Sequence, residues 1–175
     1  MNTIPATHTT YRELLQLGTK KLTAAGVTGT PYLDALLLIG HISGNSREKI
    51  LAYLPDPAET ETIAEFRKLL IIRESGKPIA YILKNKEFFG HDFYVDERVL
   101  IPRPDTELLV ETALNLFKQE LPDNKILDLC TGSGCVGISL QAEIPEAEIS
   151  LSDISREALE VSRINSQQIL GKEIA

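Results

Sequence analysis

The sequence predicts an α/β protein: an N-terminal helical bundle over residues 1–84, a β-hairpin and extended linker over 85–103, and the first part of a parallel sheet domain over 104–175. Three observations predict this order. Apolar residues recur at helical spacing as far as about Leu83, aromatic segments then flank a glycine, and apolar strands alternate with helical segments from Lys125 onward. A strand–helix–strand–helix order is typical of a parallel sheet with right-handed crossovers.

Three helix starts within the helical bundle are signalled by a Thr-x-x-Glu capping box at Thr10–Glu13, by the pair Thr30–Pro31 and by Ser46. A longer helix is expected from about Thr60 through Arg73. Gly76 is a good stop residue for the last of these helices. The residues expected to face the core are Leu14, Leu17 and Leu22 in the first helix and Ile63, Phe66 and Leu70 in the last.

The hairpin is predicted from two aromatic segments, Lys86–Phe89 and Asp92–Val95, which flank a turn at Gly90 and His91. We interpret this hairpin as the connector between the two domains, with His91 exposed in the turn.

Two prolines hold the next segment extended, ahead of a helix expected from Glu107 to about Gln119. Asp105 or Thr106 can cap this helix. Its apolar face is predicted to consist of Leu108, Leu109, Leu116 and Phe117.

The last third of the chain predicts a strand at 125–130, a glycine loop, a helix to about 143, a strand at 148–153 and a helix at 155–170.

Composition restricts the class of protein. The chain has 175 residues and a net charge of −7, with 43% hydrophobic and 25% charged residues, as in ordinary globular proteins. Residues 1–90 carry 11 Lys/Arg and 9 Asp/Glu, whereas 91–175 carry 7 and 16, so the acidic half is a poor candidate for nucleic-acid binding. The sequence shows no signal peptide or apolar run that could span a membrane, and two cysteines make no disulfide framework. We therefore expect a cytoplasmic protein.

The most informative stretch is the glycine loop. Gly132, Gly134 and Gly137 have the G-x-G-x-x-G spacing of dinucleotide-binding folds and follow an apolar strand. Asp153 comes 21 residues after Gly132, where a carboxylate can accept hydrogen bonds from both hydroxyls of an adenosine ribose. Alternatively, the loop is a tight turn without a ligand, and Asp153 caps the following helix.

Asp128 separates two classes of nucleoside cofactor. A pyrophosphate at the loop would be repelled by this carboxylate, whereas the α-ammonium group of S-adenosylmethionine would be attracted to it. No Lys or Arg occurs between Ile126 and Arg156, which also favours S-adenosylmethionine over NAD. The alternative for Asp128 is a buried strand-end carboxylate that accepts from loop amides.

The remaining nucleophiles and metal ligands form no evident site. Cys130 and Cys135 are too few for a metal site and are read as small buried thiols. His8, His41 and His91 are dispersed and predict no catalytic triad. We expect no bound metal.

Several motifs resemble one known family. Asp128–Gly134 (Asp-Leu-Cys-Thr-Gly-Ser-Gly) resembles the first motif of class I S-adenosylmethionine-dependent methyltransferases. Val99–Glu107 (Val-Leu-Ile-Pro-Arg-Pro-Asp-Thr-Glu) resembles more specifically the signature that precedes the methyltransferase domain of HemK/PrmC-type release-factor glutamine methyltransferases. Gly76–Ile82 and Glu87–Gly90 are similar to that family's linker, so the resemblance extends over the whole chain.

The resemblance implies a Rossmann-like domain that transfers a methyl group from S-adenosylmethionine to the side-chain amide nitrogen of the glutamine in the Gly-Gly-Gln motif of class 1 peptide chain release factors. The helical domain would dock this protein substrate. The residues implied at the cofactor are Asp128, Cys130, Thr131, Gly132, Ser133, Gly134 and Asp153, with Leu100, Pro102 and Arg103 near the cofactor or the target amide. Cys130 departs from the glycine that the family commonly has at the first loop position.

A second departure concerns catalysis. The family places a catalytic Asn-Pro-Pro-Tyr after the fourth strand of its sheet, and these 175 residues contain no such tetrapeptide. We therefore expect a chain truncated before that motif, which is inactive by itself and binds the cofactor weakly. We also expect residues 1–95 to be more stable than 104–175.

Three other functions stay open at this point. An adenine-N6 nucleic-acid methyltransferase shares the cofactor loop, but the acidic second half disfavours it. A dehydrogenase shares the G-x-G-x-x-G spacing, but Asp128 and the helix before the first strand disfavour it. A helical protein-binding module with a vestigial cofactor domain is the non-enzymatic alternative.

Overall fold

The structure, a computed structural model, describes residues 9–117 and 124–174. The chain divides into two compact units, Met1–Leu83 and Lys84–Ala175. The helices of the first unit are α1 (Tyr11–Ala24), α2 (Pro31–Ser43), α3 (Arg47–Ala52), α4 (Thr60–Glu74) and α5 (Ile79–Leu83). The second unit contains β1 (Lys86–Phe88), β2 (His91–Phe93), α6 (Glu107–Phe117), β3 (Lys125–Leu129), α7 (Cys135–Glu143), β4 (Glu148–Ser152) and α8 (Arg156–Leu170).

Helix α1 begins as the capping box predicts. The Thr10 hydroxyl accepts from the Glu13 N–H at 3.3 Å, and the Thr10 N–H donates to the Glu13 carboxylate at 2.8 Å. Leu14 and Leu22 are fully buried on the face that packs against α2 and α4, while Leu17 is only half-buried. The buried face also includes Leu15 and Gly18, so it is rotated slightly from the predicted stripe.

Helices α2 and α4 are joined by a buried ion pair. The Arg73 Nε donates to Asp34 Oδ2 at 2.8 Å, and Asp34 is almost completely buried. The Thr30 hydroxyl donates to the other oxygen of Asp34 at 3.0 Å and makes no capping hydrogen bond to α2, although Thr30 stands at the predicted N-cap position. Ser46, in contrast, caps α3 by accepting from the Lys49 N–H at 3.3 Å.

The second unit opens with an antiparallel hairpin of β1 and β2. Its turn lies at Phe89 and Gly90, which have φ angles of +50° and +75°, and not at Gly90 and His91 as predicted. Paired positive φ values are what a tight two-residue hairpin turn requires. His91 is therefore a half-buried strand residue opposite Phe88, and Phe88 packs edge-to-face on Phe93 inside the core of this unit, with ring centroids 6.0 Å apart.

Helix α6 buries a face that shares only Phe117 with the predicted one. Val110 is fully buried and is joined in the core by Ala113, Leu114 and Phe117, whereas Leu108, Leu109 and Leu116 are exposed. The buried residues have the spacing i, i+3, i+4, i+7, which is a complete helical stripe. The helix is apolar on two adjoining faces, so the sequence pattern alone could not select between them. A short 3₁₀ turn at Pro104–Thr106, which itself has no side-chain cap hydrogen bond, leads directly into α6, and the predicted helix end near Gln119 lies outside the described residues.

Strands β3 and β4 pair in parallel, with Asp128 opposite Leu151, and helices α7 and α8 pack against them. This confirms the α/β class and the parallel sheet. Each strand ends one residue earlier than predicted, so Cys130 and Asp153 directly follow the strands. One face of β3 is covered by the helices, while Leu127 and Leu129 on the other face are 62% and 69% exposed. Within residues 9–117 and 124–174, no helix has both the length and the apolar character needed to cross a membrane.

Candidate functional site

The candidate site is the glycine loop, residues 130–134, which joins β3 to α7 at the carboxyl end of the parallel sheet. Three of its residues have left-handed backbone angles, with φ of +62° at Cys130, +56° at Gly132 and +81° at Gly134. Glycine adopts this conformation without strain, and the carboxyl ends of parallel strands are where open α/β sheets bind ligands.

Three consecutive residues of the loop each form a hydrogen bond with a polar side chain from another part of the unit. The Thr131 hydroxyl donates to Asp128 Oδ2 at 2.6 Å, the Gly132 N–H donates to Asp153 Oδ2 at 2.9 Å, and the Ser133 carbonyl accepts from Asn165 Nδ2 at 2.8 Å. These side chains come from β3, from the end of β4 and from α8, so the sheet and its following helix fix the loop together.

Asp128 also positions the helix that follows the loop. Its Oδ2 accepts from the Gly137 N–H at 3.0 Å. A Cβ at Gly137 would overlap the Leu151 side chain and lie 3.1 Å from Asp128 Cβ, so only glycine allows α7 to approach the sheet this closely. In dinucleotide-binding motifs with this spacing, the third glycine likewise allows the helix to pack closely on the strand.

Asp153 is half-buried and accepts two backbone hydrogen bonds. Its Oδ1 accepts from the Ser155 N–H at 2.9 Å and its Oδ2 from Gly132. These N–H donors, Ser155 first, hold the pKa of the Asp153 carboxyl below its usual range, so it is ionised at neutral pH. The N-cap of α8 is Ser155, whose hydroxyl accepts from the Ala158 N–H at 3.1 Å, and therefore Asp153 is not the cap.

The structure separates the predicted cofactor residues into two groups. Cys130 is exposed, whereas Thr131 and Ser133 are buried and turned into the protein, so these two could meet a ligand only through their backbone. A Cβ at Gly132 would meet no atom within 4 Å, which leaves open space beside the loop.

The segment before α6 is also divided. Leu100 and Arg103 are exposed, while Pro102 is buried. The extended chain that leads to this segment begins at Tyr94 and is connected to the loop by hydrogen bonds. The Asn165 side chain bonds both to Ser133 and to the backbone of Tyr94.

Cys135 is a buried thiol at the start of α7. Burial raises its pKa to about 11, which keeps the thiol protonated and unreactive. Among the described residues, no group of three or more His, Cys, Asp or Glu side chains could hold a metal ion.

Two residues of this region were not predicted. Asn165 has its hydrogen-bond partners far away in sequence, so no local spacing could reveal it. Ile154 is fully exposed, at 101%, directly after Asp153. An apolar residue next to a strand-end carboxylate is a recognisable signal, and the sequence reading overlooked it.

Each unit contains a region that matches a known family of domains. Residues 13–83 match the model of the PrmC N-terminal domain, and residues 104–172 match the methyltransferase small domain. The chain is similar to the release factor glutamine methyltransferases of Leptospira interrogans (46% identity over 81% of this chain and 49% of the relative), Bordetella pertussis (44%, over 81% and 52%) and Vibrio cholerae (37%, over 91% and 55%).

The chain thus spans about half the length of the curated relatives it matches. The two domains occur in the order that the linker and loop motifs imply. The chain thus combines a match to the PrmC N-terminal domain with a match to the methyltransferase small domain, and it is similar over most of its length to release factor glutamine methyltransferases.

Proposed function

We propose that the second unit binds S-adenosylmethionine for methyl transfer to the side-chain amide nitrogen of the glutamine in the Gly-Gly-Gln motif of class 1 peptide chain release factors. The observation that carries the proposal is a glycine loop held between two carboxylates, Asp128 and Asp153, at the carboxyl ends of neighbouring parallel strands. The relatives named release factor glutamine methyltransferase support the substrate class.

The loop and Asp153 fit the adenosine part of this cofactor. An ionised carboxylate offers about four acceptor positions, and the two backbone N–H groups occupy only two of those on Asp153. The ribose hydroxyls can use the others. The exposed Ile154 beside it offers an apolar surface for a purine ring, and Gly132 leaves room for the ligand to approach.

Asp128 fits the amino-acid part. Both of its hydrogen bonds from the protein end on Oδ2, so Oδ1 is the oxygen that we assign to the α-ammonium group, directly or through water. The same carboxylate disfavours a pyrophosphate at the loop, as does the run without Lys or Arg between Ile126 and Arg156.

The chemistry that the cofactor supplies, when bound, is a methyl group on a positively charged sulfur. Transfer of this methyl group to the glutamine amide nitrogen would leave the sulfur as a neutral thioether and release one proton from the nitrogen to solvent. We assign Asp128, Asp153 and the glycine loop to cofactor binding, and we assign no described residue a catalytic role. We further propose that the first unit docks the release factor, and that the protein acts in the cytoplasm, which suits its free thiols.

Titration calorimetry of the 175-residue chain tests the cofactor. We expect S-adenosylmethionine and S-adenosylhomocysteine to bind and NAD to bind at least about tenfold more weakly, a difference of about 1.4 kcal/mol. Asp153→Asn should weaken both adenosyl ligands, because an amide offers the ribose one acceptor oxygen where the carboxylate offers two. Asp105→Asn, at an exposed position before α6, is the matched control and should bind like the wild type. Tighter binding of NAD, or no binding of any of these ligands, would overturn the proposal.

A separate measurement tests the protein substrate. We expect a class 1 release factor immobilised on a surface to retain the chain, and substitutions on the exposed face of the first unit to reduce this binding. A release factor that fails to bind under conditions where the cofactor binds would remove the substrate assignment and leave the cofactor assignment in place.

A further inference from the structure

The Asn165 side chain joins the glycine loop to the extended segment that follows the hairpin. Its Nδ2 donates to the Ser133 carbonyl at 2.8 Å and to the Tyr94 carbonyl at 3.0 Å, and its Oδ1 accepts from the Tyr94 N–H at 2.7 Å. The residue is 0% exposed. Because a side-chain amide carries two N–H hydrogens, each carbonyl receives one, and Asn165 pairs with Tyr94 as a neighbouring strand would.

We propose that Asn165 is the positioning residue of the glycine loop: it fixes Ser133 relative to Tyr94 and thereby sets the shape of the cofactor site. This proposal rests on the S-adenosylmethionine site proposed above. Asn165 is buried, and all three of its hydrogen bonds go to backbone groups. It therefore acts on a ligand through the loop, unlike Asp128 and Asp153, which we assign to direct contact.

Only asparagine satisfies all three backbone groups at this place. Aspartate has the same shape, but its second oxygen would face two carbonyl oxygens and have no hydrogen to offer them. Alanine would leave the Tyr94 N–H and both carbonyls without this partner in a buried place, which is costly. Helix α8 holds Asn165 in register, since Val161, Ser162 and Ser166 are buried on the same face.

Gln168 provides a matched control on the same helix. Its Nε2 donates to the Asp92 carbonyl at 3.2 Å, so it also bonds to the backbone of the hairpin segment, but this hydrogen bond is exposed and does not involve the loop. Replacing Gln168 therefore removes a contact between α8 and the hairpin segment without disturbing Ser133.

Hydrogen exchange without ligand is the first test. In Asn165→Asp we expect the amides of residues 131–134 and of Tyr94 to exchange at least about tenfold faster than in the wild-type chain, while amides of the first unit stay unchanged. Gln168→Ala should leave the loop amides at wild-type rates. Wild-type exchange at the loop in Asn165→Asp would overturn the proposal.

Cofactor affinity is the second test, corrected for the folded fraction. We expect Asn165→Asp to weaken S-adenosylmethionine about tenfold, equivalent to about 1.4 kcal/mol, and Gln168→Ala to leave the affinity unchanged. A folded Asn165→Asp chain with wild-type affinity would contradict the positioning role. If the wild-type chain itself binds no S-adenosylmethionine, the proposed function fails, and loop exchange still decides the role of Asn165.

The wild-type chain tests the same link if the variants do not fold. The Tyr94 N–H and the Gly134 N–H, which donates to Thr131 at 2.8 Å, should exchange through one shared opening, with the same dependence on low denaturant concentrations. Openings of clearly different free energy would show that Asn165 does not hold the two segments as one unit, and would overturn the proposal.

Discussion

At the scale of single residues, left-handed backbone angles mark the places where the chain changes direction. Among the described non-glycine residues, Lys84, Phe89 and Cys130 have positive φ values, at the start of the second unit, in the hairpin turn and at the entry to the glycine loop. A side chain makes this conformation cost about 1–2 kcal/mol relative to the right-handed one. A glycine at the Cys130 position, which the family resemblance leads us to expect, would avoid this cost.

This cost predicts the effect of substitutions at Cys130. Cys130→Gly should leave the stability unchanged or raise it by up to about 1 kcal/mol, because the relief of strain is partly offset by the greater freedom of glycine in the unfolded chain. Cys130→Val should lower it by about 1 kcal/mol or more, because branching at Cβ makes positive φ worse. Urea unfolding measures both. Since Cys130 is exposed, lost packing cannot explain such a difference, and equal stability of the two variants would contradict it.

Asp96 predicts a pH dependence. Arg98 donates to its carboxylate from Nε and Nη2, the latter at 2.7 Å, and the Tyr94 hydroxyl donates at 3.0 Å. These groups, Arg98 first, lower the pKa of Asp96 to about 2. A depressed pKa stabilises the fold above the unfolded-state value near 4 and loses this contribution as the pH falls to about 2.

We therefore expect the second unit to lose about 1 kcal/mol between pH 4 and pH 2 from this group, because solvent screens a half-buried pair. The measurement is the difference in unfolding free energy between the wild type and Asp96→Asn. That difference should shrink over this range and be constant above pH 5. If this difference in unfolding free energy does not change with pH, the ion pair between Asp96 and Arg98 is not its source.

At the scale of elements, the sequence predicted where helices and strands lie better than which face they bury. Capping boxes and glycine stops are local signals, and α1, α4 and the two parallel strands begin within a residue or two of the predicted positions. The face of α6 depends on contacts with α7 and the hairpin, which no local pattern contains. The same reason explains why the site was only partly predictable. Asp128 and Asp153 could be found from motif spacing, whereas Asn165 could not, because its partner Tyr94 lies 71 residues away.

Gly18 illustrates how closely the elements of the first unit pack. A Cβ at this position would lie 2.7 Å from the Phe66 ring and 2.8 Å from Ala35 Cβ, so α1 meets α2 and α4 through a position without a side chain. Gly18→Ala should destabilise the first unit by about 1–3 kcal/mol, even though alanine favours helix by about 1 kcal/mol.

Gly40→Ala is the matched control, because Gly40 is also inside a helix and its added Cβ would lie 3.1 Å from the Asn45 carbonyl oxygen and 3.5 Å from an Ile50 methyl group. We expect it to change the stability less than Gly18→Ala does. Thermal or urea unfolding compares the two, and the reverse order would mean that α1 can shift to admit the methyl group.

At the scale of the whole molecule, the two units differ in how they use their apolar residues. In the first unit, a core shared by α1, α2 and α4 encloses most of the large apolar residues, and the exposed ones lie on helix surfaces and in a turn: Tyr32, Leu51, Tyr53, Ile71 and Ile72. The second unit has a comparable core under one face of the sheet but exposes Leu127 and Leu129 on the other face, together with the Leu108, Leu109 and Leu116 stripe of α6. Exposed apolar surface of this extent adds nothing to stability and favours association.

This difference predicts that backbone amides of the two units are unequally protected from hydrogen exchange, and that polar substitutions on the exposed face of β3 raise solubility. Amides of α1, α2 and α4 should exchange through openings of higher free energy than those of β3 and β4, measured by native-state hydrogen exchange.

Leu127→Thr with Leu129→Thr should raise solubility while changing stability by only about 0.5 kcal/mol per site, because both side chains are already in water. Ile149→Thr on the covered face of β4 should instead cost about 2 kcal/mol or more. Equal exchange in the two units, or a large loss from the double substitution, would show that a contact covers this face in solution.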